Sequence, residues 1–255
     1  MSVTSTRTDQ SDTPGLTSVA QQDEAQLGGA LSVLVRQKRD HVKLDRLLHE
    51  LEAADPATQD DVLRRLYRLV FSHAFAEEAV LWPVMRGVLD DGGSLTLQVE
   101  LEHQEVNELV TRIEATAAGS VERRPLLRRL VEVLREDVRD EEDELLPRLQ
   151  SAIDTRTLRL LGLAWEAVRT VAPTRAHPVV ARRPPGNALA AVPLTVVDRL
   201  RDRIDRRIQL AEEDVPWLVR ASERLTIAAH AIEHAPLLRR GEDESTSTDH
   251  RGFVA

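Results

Sequence analysis

Apolar residues recur through most of this chain three, four and seven positions apart, the period of a helix buried along one side. Leu34, Leu44 and Leu48 share a face in the first long stretch. Leu66 and Val70 do so in the second, Val99, Val106 and Val110 in the third, and Leu130 and Val133 in the fourth. Start and stop signals bound the four. Asp23 with Gln26 three residues on reads as a capping box, so the first helix is expected from there to about Ala54. Asp55-Pro56 is an N-cap followed by proline at the first helical position. The second helix is expected to run from it toward Asp90, with a bend near Pro83. The DDGGS turn at 90–94 precedes a third helix, capped by Ser94 and reaching Ala118; Gly119-Ser120 precedes a fourth, reaching about Ala152. Four long helices on short connections favour an all-α, up-down-up-down bundle over 23–152.

Residues 153–240 read as a helical C-terminal extension. It holds the segment LLGLAWEAV, a Pro-rich connector expected to be extended over 172–193, and a helix with Val197, Leu200, Ile204 and Ile208 on one face. Residues 1–22 and 241–255 are polar and expected to be disordered tails.

Composition narrows the chemistry. The chain has no cysteine, so any metal must be held by His, Asp and Glu. A net charge of -9 argues against nucleic acid as a partner, because such affinity comes mostly from neutralised phosphates. No apolar run approaches the ~18 residues of a membrane span. The expected compartment is the cytoplasm.

One pattern is written twice. HAFAEEAVLWP (73–83) and DVRDEEDELLP (137–147) carry an acidic pair, a Leu and a Pro at the same offsets, but open with His73 and Asp137. DHVKLDRLL (40–48) and EHQEVNELV (102–110) form a second matched pair, so the first two helices resemble the next two with a shift of 62 to 64 positions. Helical phase turns His41, His73, His103 and Asp137 into the four apolar stripes. Glu77 and Glu141, four residues after His73 and Asp137, share that inward face and are spaced for two side chains to meet one ion. A single histidine on an apolar stripe is usually a core residue, and an acidic run is usually solvated. Six such residues at matched places are different, because three unpaired carboxylates buried among aliphatic side chains cost many kcal/mol unless cations balance them. Three imidazoles and three carboxylates are too many for one tetrahedral zinc and suit two bridged ions, iron first and manganese next.

These pieces resemble the haemerythrin-like family, the HHE cation-binding domains: DH at 40–41, HAFAEEAVLWP at 73–83, EH at 102–103 and EEDELLP at 141–147. The resemblance covers about residues 25–152 and implies an up-and-down four-helix bundle around a non-haem di-iron centre. It implies His41, His73, Glu77 and His103 as ligands, with Glu141 as the second bridging carboxylate. Asp137 departs from the family, which usually has His there. An aspartate still coordinates, but it makes the site more anionic, favours the ferric state and weakens the expectation of reversible oxygen binding. The implied partner is a small oxidant such as oxygen, peroxide or nitric oxide. Carrier, sensor and enzyme roles stay open, as does a non-catalytic iron-binding module or a helical interaction protein. The C-terminal extension is a candidate surface for a protein partner. Glu78 and Glu142 read equally as partners of ligating histidines or as surface acids. His230 and His234 form an i, i+4 pair with no third ligand evident nearby.

Overall fold

The computed structural model describes residues 16–211 and 214–246, and these are helical, with no strand among the described residues. The expected tails lie partly outside this range, at 1–15 and 247–255. Helix α1 spans Val33–Ala53. Helix α2 (Gln59–Ala76) passes through a π turn at Glu77–Leu81 into α3 (Trp82–Val88). Helix α4 spans Gly92–Glu114. Helix α5 (Arg123–Asp140) passes through a second π turn at Glu141–Leu145 into α6 (Leu146–Ala152). Neighbouring rods pack in a closed ring, α1 on α2, α3 on α4, α4 on α5 and α5 on α1.

The first helix begins later than its capping box suggests. Asp23 and Gln26 do bond each other's backbone N–H reciprocally, both at 2.8 Å, but they cap only a turn. Gly28 and Gly29 follow at φ +93° and +88°, a conformation that glycine adopts freely and that ends a helix. Ser32 then caps α1, accepting from the Leu34 N–H. Residues 16–22, expected in the tail, include a short 3-10 turn with Val19 fully buried.

Pro83 and Pro147 do not break their rods. In each copy the π turn carries the chain to a fresh helix in which proline occupies the first turn, where its missing N–H is not needed. The turns are closed by Trp82 N–H donating to the Glu77 carbonyl and Leu146 N–H to the Glu141 carbonyl. Both begin on an inward glutamate.

Two apolar layers fill the bundle, one around Leu44, Leu48, Leu66, Val110 and Leu130 and one around Leu34, Leu81, Trp82, Val99 and Leu146. The polar residues of the repeat lie between them. Helix α7 (Thr155–Thr170), capped by Asp154, packs across α1 and α2. Its Gly162 allows close approach, since a Cβ there would sit 2.0 Å from the Leu31 carbonyl oxygen. The connector is shorter than expected: α8 (Gly186–Leu210) begins well before 193 and accommodates Pro193 inside it. Helix α9 (Pro216–Glu233) pairs with α8 around a small core of Val180, Ala190, Leu194, Ala229 and Leu238. Residues 241–246, expected in the tail, fold back: Glu242 accepts from the Arg182 N–H at 2.6 Å and Asp243 pairs with Arg183 at 3.1 Å.

Candidate metal centre

The six inward residues meet in mid-bundle. His41 Nε2 lies 3.1 Å from a Glu141 oxygen and 3.3 Å from His73 Nε2. His73 Nε2 is 3.0 Å from one Glu77 oxygen, and His103 Nε2 is 3.7 Å from the other and 3.6 Å from Asp137 Oδ1. Two donor groups result, each with its atoms within 4.8 Å of one another: His41, His73, Glu77 and Glu141, and His103, Asp137 and Glu141. Glu141 belongs to both. All but the half-buried His73 are at most 7% exposed.

The outer ring nitrogens explain why the Nε2 atoms converge. His41 Nδ1 is 2.9 Å from Glu142, His103 Nδ1 is 2.9 Å from Glu78, and His73 Nδ1 is 3.5 Å from Asp40. An ionised carboxylate only accepts, so each Nδ1 carries a proton, and each Nε2 points inward, where a metal would displace its proton and take the lone pair. The Nε2 atoms of His41 and His73, 3.3 Å apart, are placed to share one cation. Glu78 and Glu142 are thus partners of histidines, and Glu78 is buried. Asp40 is a functional residue that sequence reasoning passed over. Its signal was present as the acid before His41, but it acts on the histidine of the next helix. Arg169 of α7 holds Asp40 at 2.8 Å, and Trp165 packs edge-on to His73 with ring centroids 5.4 Å apart.

The carboxylates are poorly served by the protein alone. Both oxygens of Glu77, both of Glu141 and Oδ1 of Asp137 are buried without a hydrogen-bond partner. Burial, then the Glu141 charge, pushes Asp137 well above the usual carboxylate range. Burial and Glu77 push Glu141 up as well. Burial opposes protonation of His41 and His103, but neighbouring carboxylates outweigh it and raise them to about 9 and about 10. Mixed imidazole and carboxylate donors with no sulfur, and five oxygens without partners, fit first-row divalent ions.

The pairings expose approximate twofold symmetry. His41 with Glu142 maps onto His103 with Glu78 when the copies are exchanged. His73 with Asp40 maps onto position 137 with Glu102. At that fourth place the imidazole is absent, and Glu102 Oε2 is buried without a partner. Glu102 instead raises the pKa of Asp137. The outer partner of a fourth histidine is therefore still present beside Asp137.

The two halves also differ in surroundings. A cavity bordered by His41, His73, His103 and Asp137 and otherwise largely apolar leaves about 20 Å³ of room for the centre of a water-sized molecule. Beyond His41, a groove of about 410 Å³ between α1 and α5 opens past Val42, Leu134 and Glu142. The His103 side is covered by the strap at 172–185. Glu100, Gln104 and Asn107, on one face of α4, are buried polar residues and all are gripped. Arg183 pairs with Glu100 at 2.7 Å, Arg182 donates to Gln104 at 2.8 Å, and the His177 N–H donates to Asn107 at 3.0 Å. Arg182 also lies 3.8 Å from Glu78, the partner of His103, and Asn107 donates to the His103 carbonyl at 2.9 Å.

A helical bundle with imidazoles and carboxylates converging at its middle is a candidate cation site. Residues 33–149 match the family described as the Hemerythrin HHE cation binding domain, so this part of the chain is similar to that family. An uncharacterized hemerythrin-like protein of Schizosaccharomyces pombe is 26% identical over 174 residues, 66% of this chain and 84% of the yeast protein. A DNA nickase of a Nostoc species is 25% identical over 134 residues, covering 52% of this chain and 38% of that protein. No solved structure matches. No helix among the described residues is long and apolar enough to cross a membrane.

Proposed function

We propose that the bundle holds a pair of iron ions, with manganese as the alternative metal, and that it binds or reacts with a small oxidant: oxygen, peroxide or nitric oxide. The observation carrying this reading is the set of five buried carboxylate oxygens without partners facing three inward imidazole nitrogens. His41, His73, Glu77 and Glu141 hold one ion; His103 and Asp137 hold the other, with Glu141 shared. When bound, iron supplies redox exchange and open coordination positions for a small ligand. The remaining work belongs to the chain. Glu142, Asp40 and Glu78 keep the histidine tautomers, the apolar cavity walls exclude bulk water, and the α1–α5 groove admits small molecules on the His41 side. The cavity takes a molecule of two or three atoms and rejects organic substrates. The negative net charge supports a partner other than nucleic acid, and nicking is not carried over from a protein of which this chain spans 38%. The C-terminal unit, fastened beside His103, is suited to pass the state of the site to a protein partner in the cytoplasm.

The test is to load the protein with ferrous iron without air and expose it separately to oxygen, peroxide and nitric oxide. Two irons per chain and new visible absorption with at least one oxidant are expected. Iron bound but inert to all three leaves a metal-binding module without oxidant chemistry, and no stoichiometric metal overturns the whole reading.

A further inference from the structure

The C-terminal end of α9 gathers a second set of metal-type donors, far from the bundle repeat in sequence. His230, Glu233 and His234 stand at i, i+3 and i+4, on one face of the helix. One donor atom from each lies within 4.8 Å of the others. The third donor, Glu233, lies between the two histidines in the sequence itself. The imidazoles are prepared as ligands. His234 Nδ1 is 2.8 Å from the His230 carbonyl, which only accepts, so Nδ1 carries the proton and Nε2 keeps its lone pair. His230 Nδ1 is 3.0 Å from Glu233 Oε1, so a metal ion would take the place of the proton between these two donors. The two rings sit side by side, centroids 4.1 Å apart. Glu233 is only 7% exposed, and its Oε2 has no hydrogen-bond partner. Its Oε2 is turned inward, toward His177 Nδ1 3.5 Å away.

We propose that His230, Glu233 and His234 form a second divalent-metal site, distinct from the bundle centre and independent of its metal. Two imidazoles and one carboxylate suit a borderline ion of the zinc, cobalt and nickel class, with water in the remaining positions. Magnesium and calcium, which take oxygen ligands, are poor fits. The site also has a route inward. An ion on the outer side of Glu233 competes with His177 for the carboxylate. The His177 backbone N–H is bonded to Asn107, and Asn107 to the His103 carbonyl. Occupancy at α9 therefore acts on the strap where it is fastened beside the bundle centre.

The experiment uses tag-free, full-length protein stripped of metal and titrated with zinc against a chromophoric chelator. The comparison is the double variant His230→Gln/His234→Gln, whose exposed positions leave the fold intact. The wild type is expected to bind one more zinc per chain than the variant, in the micromolar range, while the bundle stoichiometry is equal in both. Equal zinc stoichiometry, or a difference seen only at millimolar zinc, overturns the site. Amide exchange at His177 is read in the same samples. Exchange altered by zinc in the wild type alone supports the inward route, and unchanged exchange with zinc bound overturns that route.

Discussion

Replacing Glu141 with Gln should change stability in opposite directions with and without metal. Glu141 is 1% exposed, and His41 Nε2 lies 3.1 Å from one of its oxygens. Burial and the neighbouring Glu77 charge raise its pKa, so the ionised form is disfavoured in the metal-free fold. An uncharged isostere relieves part of a desolvation cost of about 1–3 kcal/mol; after subtracting its weaker attraction to His41, a gain of ~1 kcal/mol remains. For a chain of this size that is ~2–4 °C in melting temperature. With metal the order inverts. Free metal at ~100 times its dissociation constant stabilises by ~2.7 kcal/mol, and a hundredfold loss of affinity cuts this to ~0.4 kcal/mol. The assay is thermal unfolding by circular dichroism at neutral pH, with chelator and then with ferrous iron under nitrogen. The variant should melt above the wild type in chelator and below it in iron. A variant that melts lower in both, or keeps the full iron-induced shift, refutes the idea that Glu141 is buried to hold a cation.

Three further outcomes follow from the geometry. Asp137→His places an imidazole beside the free Oε2 of Glu102, and the second metal equivalent should bind about tenfold or more tightly in a chelator competition; weaker binding would show that Glu102 is not positioned as Asp40 is. Arg182→Met removes the cation near Glu78, so the ion on the His103 side should loosen by about tenfold while Arg182→Lys retains most of the affinity; equal loosening by Arg183→Met would assign the effect to docking of the strap as a whole. Asp198 is buried and its pKa is lowered: burial opposes this, but His177 and the Thr174 amide outweigh it. Its stabilisation is full above the ordinary value of 3.8 and disappears as pH falls through the lower folded value. The Thr174 and Arg175 amide shifts, read by NMR, should hold steady from pH 7 to about 5 and move only in stronger acid; a transition near pH 6 contradicts the assignment.

Much of the bundle was legible in the chain because its information is local. The apolar period gave four rods, and the doubled His/Asp-x-x-x-Glu spacing put six polar residues on inward faces. Phase follows from 3.6 residues per turn without knowledge of neighbours. The signals that misled were also local. Asp23 and Gln26 form their box, yet two glycines in the left-handed region cut the helix short after one turn. The Pro-rich stretch was expected to stay extended to 193, whereas helix resumes at Gly186. What no local rule reaches is which residue on one rod meets which on another. That Glu142 serves His41, Glu78 serves His103, and Asp40 serves the histidine of the following helix is decided by register between rods. The two π turns, which carry the prolines past the site without breaking the rods, are likewise a compromise between chain and packing. So is the strap, whose Arg182, Arg183 and His177 find their partners on α4 at least 70 residues earlier. Helical phase needs only the backbone's own hydrogen bonds; contacts across the bundle come from burying many surfaces at once, and only the folded chain sets them.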